Sequence, residues 1–85
     1  MIANEQRRLV PTRRAAPEDI QLVRKLNLRA LVALYGGPSR LADRIGYGGP
    51  SFVCQMTSGK KAITEKTIRK IEKELGLPYG WMDLY

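Results

Sequence analysis

The stretch Pro38-Ser39-Arg40-Leu41-Ala42-Asp43-Arg44-Ile45-Gly46-Tyr47-Gly48-Gly49-Pro50-Ser51-Phe52-Val53-Cys54-Gln55-Met56-Thr57-Ser58-Gly59 decides the fold class. Pro38 suits the first position of a helix, where its missing N–H is not needed. Leu41, Ala42 and Ile45 then make one apolar face, and Gly46 closes the helix after about two turns. Tyr47-Gly48-Gly49 is long enough only for a turn. Pro50 opens a second short helix, predicted over 50–57. Phe52, Val53 and Met56 form its apolar side. Ser51, Gln55 and Ser58 line the opposite side at i, i+4 and i+7, with Cys54 beside them, and Gly59 stops it. Two short helices on a tight turn, the second offering small polar side chains, is the plan of a helix-turn-helix.

The flanks supply the rest of an all-α bundle. Towards the C-terminus, Lys60-Lys61-Ala62-Ile63 is a basic loop and Thr64 an N-cap, with Glu65 in the first turn. Ile68, Ile71 and Leu75 mark an inner stripe. Lys66, Arg69, Lys70 and Lys73 are assigned to the outer face. Gly76, Leu77 and Pro78 end that helix, and 78–83 is predicted as one closing turn. Towards the N-terminus, Leu28, Leu31, Val32 and Tyr35 recur at i, i+3, i+4 and i+7. Ile20, Val23 and Leu26 extend that apolar character upstream. Arg24, Lys25 and Arg29 cluster on another side. Pro17, Glu18 and Asp19 start this helix, and Gly36-Gly37 ends it. No segment alternates with period two, so no strand is expected.

Composition bounds the chemistry. The chain has 85 residues, 15 Lys plus Arg, 8 Asp plus Glu and no His, a formal net charge of +7. This length reads as one domain with a small core. Without His, no Ser-His-Asp or Cys-His nucleophile system is expected. Cys54 alone makes neither a zinc site of the usual kind nor an internal disulfide. Asp43, Glu65, Glu72, Glu74 and Asp83 have no metal-site or paired-carboxylate spacing. No catalytic residue, metal or cofactor is expected, and an enzyme is the least favoured class. No apolar run reaches the roughly 20 residues of a membrane span, so the expectation is a cytoplasmic chain with no membrane partner. The basic balance points to a polyanion, nucleic acid first. Residues 1–17 are set apart as a flexible basic arm, with Arg7, Arg8, Arg13 and Arg14 against Glu5, either a solvated tail or an arm touching DNA phosphates or the minor groove, and 18–85 as the folded domain.

The order Leu41-Ala42-(x)2-Ile45-Gly46, Pro50-Ser51-Phe52-Val53-Cys54-Gln55-Met56-(x)-Ser58-Gly59-Lys60-Lys61, then 63–72, Leu75-Gly76-Leu77-Pro78 and Gly80-Trp81-Met82-Asp83 resembles the Cro/phage-repressor (Xre-type) DNA-binding family, in its phage and prophage regulator branch. The resemblance covers residues 27–83. It implies a compact bundle of about five short helices, acting as a homodimer on a two-fold related operator in double-stranded DNA. By that analogy Pro50, Ser51, Phe52 and Gln55 lie at the groove, while Ser39, Arg40, Lys60 and Lys61 meet phosphates. Two departures stand out. The Tyr47-Gly48-Gly49 turn is one residue longer than in the commonest members. Pro50 also takes a place where many relatives carry a hydrogen-bonding side chain, so base reading rests on fewer residues.

Each signal has a plainer alternative. A Gln amide matches the adenine edge and Ser serves several bases. Gln55 is otherwise an exposed helix Gln, and Ser51 otherwise satisfies the helix N-terminus. Phe52 either packs on the first helix or touches a thymine methyl. Lys66, Arg69, Lys70 and Lys73 read as a solvated face. Trp81, Met82, Leu84 and Tyr85 close the core or meet a second copy. Nothing in the sequence marks Cys54 as a redox sensor. The leading expectation is a sequence-specific regulator, a phage or prophage repressor. The alternatives are a DNA-binding antitoxin whose arm engages a protein, and a phage module that binds a host protein.

Overall fold

The computed structural model describes residues 14–84. It contains four α-helices: α1 (Ile20–Leu34), α2 (Pro38–Ile45), α3 (Ser51–Thr57) and α4 (Glu65–Leu75). Single 3-10 turns at Pro17–Asp19 and Trp81–Asp83 bracket them. The all-α class holds, and the expected fifth helix is the closing 3-10 turn. Pro17 forms the 3-10 turn ahead of α1. Pro50 stands one position before its expected place, at the N-cap, where its carbonyl accepts from Cys54 N at 2.8 Å.

Glycine ends three of the helices by one mechanism. Gly46 and Gly76 have φ of 97° and 69°, a left-handed conformation that costs a Cβ-bearing residue. The following N–H then reaches back across the last turn, Tyr47 N to Ala42 O and Leu77 N to Glu72 O, both 2.8 Å. Gly37 N to Val32 O, 2.9 Å, ends α1 alike. At the head of α4, the Thr64 hydroxyl accepts from Thr67 N, as its N-cap role requires.

Leu28, Leu31, Leu41, Ala42, Ile45, Val53, Met56, Ile63, Ile68, Ile71 and Met82 form one buried cluster. The helix pair α2–α3 therefore hangs on this core by Leu41, Ala42, Ile45, Val53 and Met56, which fixes the orientation of the opposite face of α3. Gln21 adds a polar anchor. Its side-chain amide donates to Ile63 O (2.9 Å) and accepts from Ile63 N (2.8 Å), clamping the loop after α3 onto α1.

Arg24, and Arg69 of the expected outer face, are turned inward. Arg24 is 8 % exposed and Arg69 is partly buried. Arg24 Nε donates to Asp83 Oδ1 (2.7 Å), and its other nitrogens to Ile63 O and Glu65 Oε1. Arg69 donates to Glu65, Glu72 and Asp83 at 2.7–2.9 Å. The buried Glu72 also accepts from Gly80 N and Met82 N, capping the terminal 3-10 turn. Hydrogen bonding to Arg69 holds the Glu65 carboxyl below its ordinary range. Burial would raise the Asp83 carboxyl, and the bonds from Arg24 and Arg69 outweigh it and leave it lowered. Burial would loosen the Arg69 proton, and its bonds to Glu65, Glu72 and Asp83 outweigh that and hold it more tightly. The network ties α1, α4 and the C-terminal turn together with every described buried side-chain polar atom satisfied.

The packed domain starts ahead of residue 18. Ala15 is buried, Ala15 N donates to Asp83 O (2.8 Å), and Arg14 forms an isolated antiparallel bridge with Leu84. Asn27 Nδ2 holds the same edge through the carbonyls of Met82 and Leu84.

Candidate nucleic-acid interface

Val53 and Met56 are sunk in the core, so the reverse side of α3 faces solvent. Ser51, Cys54, Gln55 and Ser58 are all exposed there. Gln55 Nε2 lies 3.4 Å from Ser51 Oγ, a long contact between exposed groups that both can leave. The backbone beneath Gln55 is firmly held. Its carbonyl accepts from Ser58 Oγ and from Lys61 N, each 3.1 Å. Gln55 is thus a free side chain on a fixed stem.

The C-terminal end of α3 gathers positive charge from two elements. Arg29, on α1, donates from Nε to Thr57 O at 3.0 Å. A guanidinium there satisfies an orphan carbonyl and complements the negative end of the helix dipole. The Lys25 ammonium lies beside Gly59, 3.9 Å from where a Cβ would stand. Lys60 and Lys61 follow immediately in the chain and are exposed. At the other end, the Phe52 ring meets Tyr47 edge-on, with centroids 4.9 Å apart. Lys61 Nζ caps the Phe52 ring at 5.0 Å, and Lys70 Nζ approaches Tyr47 at 5.8 Å. Burial raises the Tyr47 hydroxyl, partly opposed by Thr67.

Phe52 is half-buried against the core, edge-on to Tyr47 and covered by Lys61. Pro50 is exposed at the head of α3 next to Ser51. Ser39 and Arg40 are exposed on the first turn of α2, where Arg40 lies along Gly36. Arg7, Arg8 and Arg13 lie outside the described residues. Arg14 sits on the C-terminal-turn edge with Asn27, on the flank of α1 opposite Lys25 and Arg29.

Charge sorting gives the face its character. Among the described residues, every ion pair belongs to Arg24 and Arg69 with Glu65, Glu72 and Asp83. Lys25, Arg29, Lys60 and Lys61 around α3, and Lys70 beside Gly46 and Tyr47 in the preceding turn, have no carboxylate partner there. Sequence reading found Lys60 and Lys61 but not Lys25 or Arg29, because the fold, not the chain, brings α1 to α3. No described group of three His, Cys, Asp or Glu could hold a metal. No helix among the described residues is long and apolar enough to cross a membrane. Compared with family models, curated proteins and solved structures, the chain matches none.

Proposed function

We propose that this protein is a sequence-specific DNA-binding regulator, a repressor of phage or prophage type that acts as a homodimer on an inverted repeat. The observation that carries the reading is the face of α3: small hydrogen-bonding side chains at its centre and unpaired cations around its rim. Long charged side chains would block base edges, whereas Ser51 and Gln55 can bond them, Gln to N6 and N7 of adenine. Lys25, Arg29, Lys60 and Lys61 around α3, with Lys70 beside the turn before it, supply sequence-independent attraction to phosphates. Ser39 and Arg40 extend that contact from α2. The sequence resemblance to the Cro/phage-repressor family supports the same assignment. On this reading the chain works in the cytoplasm, catalyses nothing and needs no cofactor.

The test is selection of bound duplexes from a random pool, followed by binding of Gln55→Ala to the selected site. An inverted repeat is expected. Gln55→Ala should lower the ratio of preferred to random affinity by about 1–3 kcal/mol and relax one symmetric pair of positions. Its melting should move by no more than about 0.5 kcal/mol. Failure to bind any duplex at low salt refutes the reading, and an unchanged specificity ratio refutes the role of Gln55.

A further inference from the structure

The outward face of α1 is unpartnered and apolar. Leu22, Leu26 and Leu34 are 52 %, 50 % and 75 % exposed, and Ala30 and Ala33 are exposed between them. Leu22, Leu26, Ala30 and Leu34 follow one another at intervals of four, a single ridge along the helix. Every charge of α1 is turned elsewhere. Arg24 is buried in the ion-pair network, Lys25 lies by Gly59, and Arg29 binds the Thr57 carbonyl. A solvated helix face normally carries charge, as α4 does with Lys66, Lys70 and Lys73.

We propose that this ridge is covered by the same ridge of a second copy, antiparallel, so that α1 is the dimer interface. The occupant follows from the ridge's own symmetry. Reversed against itself, it sets Leu22 beside Leu34 of the partner copy and Leu26 beside Ala30, large against small at its centre. An isologous two-fold contact requires this self-complementarity. Contact along the whole ridge, from Leu22 to Leu34, needs nearly antiparallel axes, close to the roughly 20° class of helix packing. The antiparallel arrangement also has a consequence for α3. Its two-fold axis runs perpendicular to α1 within the interface, so both Lys25–Arg29 flanks, with α3 attached, fall on one side of the dimer. A parallel pairing would put them on opposite sides. The ridge offers on the order of 400 Å² per copy, about half of what a stable interface buries per partner. A weak dimer results, with a Kd on the order of 0.1 mM. The chain's +7 charge opposes it, so added salt tightens it.

The proposal uses the DNA-binding reading only for the orientation of α3, and its test needs no DNA. Sedimentation of the full chain from about 0.01 to 1 mM should give a concentration-dependent dimer. Leu26→Glu/Leu34→Glu should weaken it at least tenfold with an unchanged circular dichroism spectrum, both positions being exposed. Register is read by disulfide formation in a Cys54→Ser background. Leu22→Cys mixed with Leu34→Cys should give the heterodisulfide at least tenfold faster than either protein links to itself. A wild-type chain monomeric at 1 mM, a dimer indifferent to the Glu substitutions, or equal rates of homo- and heterodisulfide formation each overturns the proposal. A dimer that binds no duplex leaves this interface standing and refutes the proposed function. A monomer that binds duplex overturns this interface and leaves the DNA-binding part of the proposed function standing.

Discussion

Replacing Asp83 by Ala tests the buried ion-pair network. Its side chain is 3 % exposed and accepts from Arg24 Nε at 2.7 Å and Arg69 Nη2 at 2.8 Å. Removing one partner of a buried pair costs about 3–5 kcal/mol, because the remaining charge stays desolvated. Here the remaining charges are not abandoned. Arg24 keeps the Ile63 carbonyl and Glu65, and Arg69 keeps Glu65 and Glu72. The cluster also passes from two guanidiniums and three carboxylates to an even balance. The lower end, about 3 kcal/mol, is therefore expected. A domain of this size has a total stability of roughly 4–13 kcal/mol, so the loss is a large part of it. It corresponds to a fall in Tm of about 12–24 °C. Urea unfolding followed by circular dichroism at pH 7 measures it, with the exposed Asp43→Ala as a control expected within about 0.5 kcal/mol. A loss below about 1 kcal/mol would put Asp83 among ordinary surface pairs and refute the reasoning. So would additive losses in Arg24→Met and Asp83→Ala, since contacting residues must couple.

The remaining predictions concern acid, the core and the cation rim. Asp83 and Glu65 have lowered pKa values in the folded state, so the stability they contribute is present above the unfolded carboxylate pKa values near 4 and is lost as pH falls through the folded values. Melting should thus be flat near neutrality and fall steeply below about pH 4, less steeply in Asp83→Asn; equal acid slopes would refute this. Met56 is 1 % exposed, and Met56→Ala should cost about 2–5 kcal/mol in urea unfolding while Gln55→Ala costs almost nothing. Equal losses would mean that α3 is rotated from the described orientation. Lys60→Ala/Lys61→Ala should reduce the slope of log K against log salt on duplex DNA by about 1.8, at roughly 0.9 per phosphate contact, with the specificity ratio retained. An unchanged slope would remove both lysines from the interface.

The sequence alone determined what local physics can encode. Glycines at 36, 46 and 76 end helices because left-handed backbone is needed there, and the Thr64 cap and the stripes of Leu28, Ile45, Val53, Met56 and Ile68 follow from short-range rules. The exposed, polar side of α3 was legible for the same reason, since fixing Val53 and Met56 inward fixes Ser51 and Gln55 outward. Only the tertiary structure decided the fate of the charges. Arg69 read as a surface residue and Arg24 as one of a basic cluster, because burying a guanidinium is unfavourable unless partners surround it. For Arg24 those partners lie 41 and 59 residues away in the chain, at Glu65 and Asp83. The bare apolar ridge of α1 was hidden in the same way. Leu22, Leu26 and Leu34 are as apolar as the buried Leu28 and Leu31, and only the packing of α1 on its neighbours divides its leucines between core and surface. A linear sequence states hydrophobicity; which side of a helix loses contact with water is set by the elements that close over it.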